Sequence, residues 1–152
     1  MSAEAKLKEL GIELPPPPGS AGLYSPCVRS GNLLFIAGQI PQRDGKPVAI
    51  GKCGAGISVE QGAELAALCT LNALAIVRNH LGTLDRVVQA VRVGGFVASA
   101  PGFVQHPQVI NGASKLLLDV FGDRGKHARA AVGMAELPAG VPVEVEFLFE
   151  VA

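Results

Sequence analysis

The chain has 152 residues, one domain by size and enough for a real core. Thirteen Lys and Arg balance thirteen Asp and Glu, so the formal charge is zero, with no electrostatic footprint for nucleic acid or an anionic membrane. Hydrophobic residues reach 49% against 17% charged, a composition that predicts burial of some surface against other subunits.

Residues 3–10 read as a short helix stopped by Gly11, and Pro15 to Pro18 form a stiff, extended connector. Residues 1–20 are thus a helix and proline-rich lead-in to a single domain spanning 1–152. Ser25–Ser30 and Leu33–Ala37 flank Gly31-Asn32, a two-residue hairpin turn. Residues 39–57 are polar, rich in glycine and without a period, and predict a long loop. Ser58 and Gln61 have capping-box spacing, opening a helix whose wide apolar surface runs through Leu65, Leu68, Leu71 and Leu74 to about Leu81-Gly82. Arg86–Ala98 is valine-rich and predicts a buried strand, with a bulge or close backbone approach at Gly94-Gly95. A second helix runs from about Pro107 to Phe121, with proline tolerated in its first turn.

The final strands alternate most clearly. Val141, Val143, Val145, Phe147, Phe149 and Val151 share one face, and Glu144, Glu146 and Glu150 the other. The order β-β-α-β-α-β-β predicts an α+β domain, its sheet antiparallel or mixed with both main helices on one face. Cys27, Cys53 and Cys69 have no metal or redox spacing and read as free thiols of a reducing compartment. With neither a secretory leader nor an apolar run of about 18 residues, the expectation is a soluble, cytoplasmic protein with no membrane partner.

Arg129 is the first chemical candidate, because its rigid fork of donors suits a carboxylate. Glu144 and Glu146 are expected on the neighbouring strand of a hairpin closed by Pro138-Ala139-Gly140, where either could aim a water. An ordinary cross-strand ion pair, worth less than about 1 kcal/mol, is the bland alternative, and spacing does not choose between them. Tyr24, the single tyrosine, is a candidate ligand donor or cleft wall, or a half-buried packing residue. Asn111 is a candidate amide donor to a ligand, with a local backbone bond as the alternative. His127, two residues before Arg129, invites a base or phosphate role and reads first as surface or interface packing. The Gly51–Gly56 loop lacks the strand–loop–helix fingerprint of a phosphate cradle.

Several segments together resemble the RidA (YjgF/YER057c/UK114) family: Tyr24, Gly31-Asn32, Gly38-Gln39-Ile40-Pro41 and Asn111. Ala128-Arg129, Ala135, Leu137-Pro138 and Val143-Glu144-Val145-Glu146 continue the match. The likeness spans about residues 22–151, and the N-terminal helix, proline run and Gly51–Gly56 loop are similar to a longer subgroup. The resemblance implies a chorismate-mutase-like fold, a homotrimer with clefts between subunits, and hydrolysis of reactive 2-imino and 2-enamino acids to 2-keto acids and ammonia. It implies neither metal nor organic cofactor, and a small carboxylate-bearing metabolite as partner. In that pattern Arg129 grips the substrate carboxylate, Glu144 orients the attacking water, Tyr24 lines the cleft and Asn111 is a polar contact. Two positions depart from it: Ala37 stands where active members commonly have serine, and Ala131 where they often have cysteine. A non-catalytic keto-acid binder or sensor is therefore the alternative. An endoribonuclease or translation inhibitor is a third, disfavoured by neutral charge and few aromatics.

Overall fold

A computed structural model describes residues Met1–Ala152. Three helices, α1 (Ala3–Glu9), α2 (Val59–Leu81) and α3 (His106–Phe121), pack with a five-stranded sheet. The first hairpin supplies β1 (Cys27–Ser30) and β2 (Leu33–Gln39), turning at Gly31 with φ 60°. The predicted loop over 39–57 instead holds two minimal ribbons, β3 (Gln42–Arg43) with β4 (Lys46–Pro47) and β5 (Lys52–Cys53) with β6 (Gly56–Ile57). Two-residue strands carry no periodicity, so composition alone does not reveal them. The long strands β7 (Val87–Ala98), β8 (Ala128–Met134) and β9 (Val143–Val151) complete the sheet.

Its order is β1-β2-β9-β7-β8, with β7 and β8 parallel and the other pairs antiparallel. The sheet is therefore mixed. The expected hairpin between the Arg129 and Glu144 strands does not form, because β7 lies between β8 and β9. Hydrophobic alternation sets which face a strand buries but not which strand it pairs with. The chain leaves β8 through a Pro138–Gly140 turn and crosses to the far side of β7.

Local chemistry builds each helix. Ser58 accepts from the Gln61 amide at 3.1 Å while Gln61 Oε1 accepts from the Ser58 amide at 2.9 Å, closing the capping box on α2. Gly82, left-handed at φ 84°, ends it. Helices α2 and α3 cross so tightly at Gly112 that any Cβ there would run into the Ala63 carbonyl oxygen. Between helices and sheet lies the core, including Leu34, Leu74, Val93, Ile110, Leu117 and Phe149, all fully buried. The N-terminal segment belongs to it: Ala3 and Leu7 of α1 are buried, and Glu4 accepts from the Leu84 amide at 2.9 Å.

The glycine pair in β7 makes a close approach on each face. Gly95 faces Ile110 of α3, whose side chain occupies the space a Cβ would need, and Gly94 lies under Glu146 on the other face. No helix covers that second face. Val28, Phe35, Leu148, Phe96 and Val132 line it through paired positions on all five strands, and Val28, Phe35 and Val132 stay exposed. No helix is long and apolar enough to cross a membrane.

Candidate functional site

Arg129 sits on β8, an edge strand, in register with the buried Val93. That register turns its side chain toward α3, where Nη1 donates to Asn111 Oδ1 at 2.7 Å and to Ser114 Oγ at 3.1 Å. Asn111 and Ser114 are three apart on α3, so they share a helical face. Both hydrogens of Nη1 are thereby used, while Nε and Nη2 make no hydrogen bond within the chain. This free edge of the guanidinium is one that forks onto a carboxylate in two places. Asn111 thus acts neither as an amide donor to backbone nor as a purely local group: its oxygen holds the arginine and its amide nitrogen remains available.

Glu144 lies elsewhere. Phe96 is its partner on β7, three positions beyond Val93, so alternation puts Glu144 on the uncovered face and Arg129 on the helix face. Two strand spacings and three residues separate their backbones by roughly 14 Å. Within one chain the two groups do not meet.

A different neighbour meets Glu144. Tyr24 joins it around a cavity of about 120 Å³, with Ala37 and Gly38 of β2 and the Gly19–Ala21 segment. The register of β2 shifts between Ile36 and Gln39, and this irregularity presents Ala37 and Gly38 to the cavity. A Cβ at Gly38 would fall 2.6 Å from Glu144 Oε1, so glycine makes room for the carboxylate. Burial pushes the Glu144 carboxyl above its ordinary pKa, and the charge of Glu146 on the same face pushes it further. Tyr24 is about half exposed, its hydroxyl accepting from the Ala21 amide at 3.3 Å. A larger cavity, about 600 Å³, opens beside it between Pro15–Pro18 and the Gln42–Gly45 turn, sharing Gly19–Ala21 and Gln42.

The predicted residues therefore fall into two separate groups, Tyr24 with Glu144 and Arg129 with Asn111. Ser114, which sequence reasoning missed, belongs to the second. Its signal was the i,i+3 spacing from Asn111, on the helix that faces the arginine. His127 joins through Ser114, Nε2 to Oγ at 2.8 Å. The three cysteines are free, and burial raises all three thiols, Cys69 most. His, Cys, Asp and Glu form no group of three that could hold a metal ion.

Comparison with known proteins gives the chain several relatives. Residues 4–149 match the family described as "YjgF/chorismate_mutase-like, putative endoribonuclease". Protein TCP17 of Trypanosoma cruzi is 43% identical over 147 residues, covering 96% of this chain and 92% of its own. The crystal structure of Atu1372 from Agrobacterium tumefaciens is 43% identical, with TM-score 0.89 over 98% of this chain and 91% of that one. A "putative endoribonuclease" from Shewanella oneidensis superposes with TM-score 0.95 at 32% identity, over 99% and 100% of the two chains.

Proposed function

The chain belongs to the YjgF/chorismate-mutase-like family, the RidA family its motifs resemble, and on that premise we propose that it hydrolyses small 2-imino and 2-enamino acids to 2-keto acids and ammonia. The observation that carries this reading is the free Nε–Nη2 edge of Arg129, held by Asn111 and Ser114. The reaction takes place between subunits of a homotrimer, where Arg129 of one chain meets Glu144 and Tyr24 of the next. The uncovered sheet face with exposed Phe35 and Val132 supports assembly, and the opposite-face placement of Arg129 and Glu144 requires it for a joint site.

In the proposed reaction Arg129 grips the substrate carboxylate and fixes C2 of the iminium within reach of a water. Glu144 accepts a proton as the water oxygen bonds C2, and the C=N electron pair moves to nitrogen. Return of that proton to the nitrogen lets the carbinolamine collapse: its hydroxyl proton passes to water, the O–H pair forms the carbonyl and the C–N bond breaks, releasing ammonia and leaving the 2-keto acid. A carboxylate whose proton affinity is raised by burial suits both transfers. The imine carbon is already electrophilic, so positioning and one proton carrier suffice.

Ammonia release from 2-iminobutanoate, generated in situ by an amino-acid oxidase, tests this directly. Acceleration by the pure protein, lost in Arg129→Ala with the oligomer intact, is the expected result; no acceleration at any pH sinks the reading. Ala37 and Ala131, which stand where the family pattern has serine and cysteine, favour a second one: a cleft that binds keto acids without turnover. Calorimetry showing keto-acid binding by a protein inactive on imines would select it. The nuclease named in the family description finds no support in a formal charge of zero.

A further inference from the structure

His127 is a titratable group linked to Arg129 through Ser114, and the proposed reaction has no use for it. Its surroundings are specific. Nδ1 lies 2.7 Å from the Gly125 carbonyl and Nε2 lies 2.8 Å from Ser114 Oγ. A carbonyl only accepts, so Nδ1 carries the proton and the neutral ring offers Nε2 as an acceptor. The Ser114 hydroxyl therefore donates to Nε2. Its oxygen keeps a lone pair turned to Arg129, whose Nη1 donates to it at 3.1 Å.

With the ring neutral, every bond along this chain runs one way: guanidinium to serine, serine to imidazole, imidazole to backbone. The other serine–histidine contact in the molecule has the reverse polarity. There Ser99 gives its hydroxyl to the Val97 carbonyl at 2.7 Å, so its oxygen can only accept from His106 Nε2 at 3.1 Å. The carbonyl that ends the Ser114 chain is itself held in place. Gly125 is buried against the last turns of α3, where a Cβ would run into the Leu117 carbonyl oxygen. Glycine is required for that loop to lie so close, and the loop orients the imidazole.

We propose that Ser114 and His127 are positioning residues for Arg129, a relay that holds Nη1 and turns the Nε–Nη2 edge toward the carboxylate of the substrate. The relay rests on the reading of Arg129 as carboxylate anchor. Asn111 fixes one hydrogen of Nη1 and the relay fixes the other, so the guanidinium plane is set by two points rather than one. Without Ser114 the guanidinium can rotate about its remaining contact, and the two-point grip on an anion is lost while its charge stays.

The test is binding of pyruvate and turnover of 2-iminobutanoate by the intact oligomer. Ser114→Ala is expected to weaken pyruvate binding and raise KM about tenfold, with kcat changed far less. Ser114→Thr, which keeps the hydroxyl, restores both; His127→Phe behaves as Ser114→Ala, and the double variant is no worse than either alone. Long-range imidazole nitrogen NMR supplies a readout that a packing role would not move. His127 is expected as the Nδ1–H tautomer, with its Nε2 signal displaced on Ser114→Ala. Arg129→Lys separates the two readings. If it binds pyruvate as the parent does, the anchor itself is misassigned. If it loses binding while Ser114→Ala and His127→Phe stay within about twofold of the parent, or if His127 is the Nε2–H tautomer, the relay is overturned.

Discussion

At Gly38 the missing side chain leaves the space that the Glu144 carboxylate fills. Alanine there would press on Oε1, the far end of a flexible chain, so the glutamate swings aside at little cost to the fold. Gly38→Ala is expected to lower kcat about ten- to a hundredfold, the usual scale for a displacement of this size, with a melting temperature close to the parent's. Equal losses of both would show Gly38 to be structural only. The raised affinity of Glu144 for its proton gives a second expectation. As the proposed base it must be ionised, so the acid limb of kcat/KM is expected above that of an ordinary carboxylate. Glu146→Gln removes the like charge, which favours ionisation of Glu144 and moves the limb to lower pH. A limb that stays where it was belongs to another group.

At the scale of elements, two glycines set how closely α3 approaches its neighbours. Gly95 of β7 faces the Ile110 side chain, whereas Gly112 faces the Ala63 backbone. Gly95→Ala is expected to cost about 1–3 kcal/mol and to be relieved by Ile110→Ala, which opens the space. Gly112→Ala has no such remedy, because a carbonyl in mid-helix cannot move alone, and its cost lies at or beyond the top of that range. Equal rescue by side-chain trimming at both sites, read from denaturant melts, would contradict the assigned packing. The same elements show what was legible beforehand. The capping box at Ser58 and Gln61, the alternation of β9 and the helix after Pro107 are local patterns, and each stands in the fold near its expected bounds. Pairing is not local. Nothing in the spacing of Arg129 and Glu144 says that β7 separates them, since both orders bury the same valines. Ser114 escaped notice for a related reason: a serine in mid-helix acquires meaning only once β8 is known to lie beside α3.

For the whole molecule the decisive fact is that Arg129 and Glu144 occupy opposite faces of one sheet. Two arrangements follow. Either they serve separate sites, or each cleft draws Arg129 from one chain and Glu144 from the next. Assembly through the uncovered face with Val28, Phe35 and Val132 makes the second possible, because it places a partner against the side that carries Glu144. Complementation distinguishes them. Arg129→Ala and Glu144→Gln are each expected to be inactive as pure oligomers. In oligomers assembled from an equal mixture of the two variants, a cleft works when a chain with Arg129 intact meets a neighbour with Glu144 intact. About one cleft in four satisfies this in a cyclic trimer, so activity should return to about a quarter of the parent's. Tagged variants purified as mixed trimers that remain as dead as either parent variant would mean the two residues never share a cleft, and the joint-site mechanism would fall while the arginine's role in binding could stand.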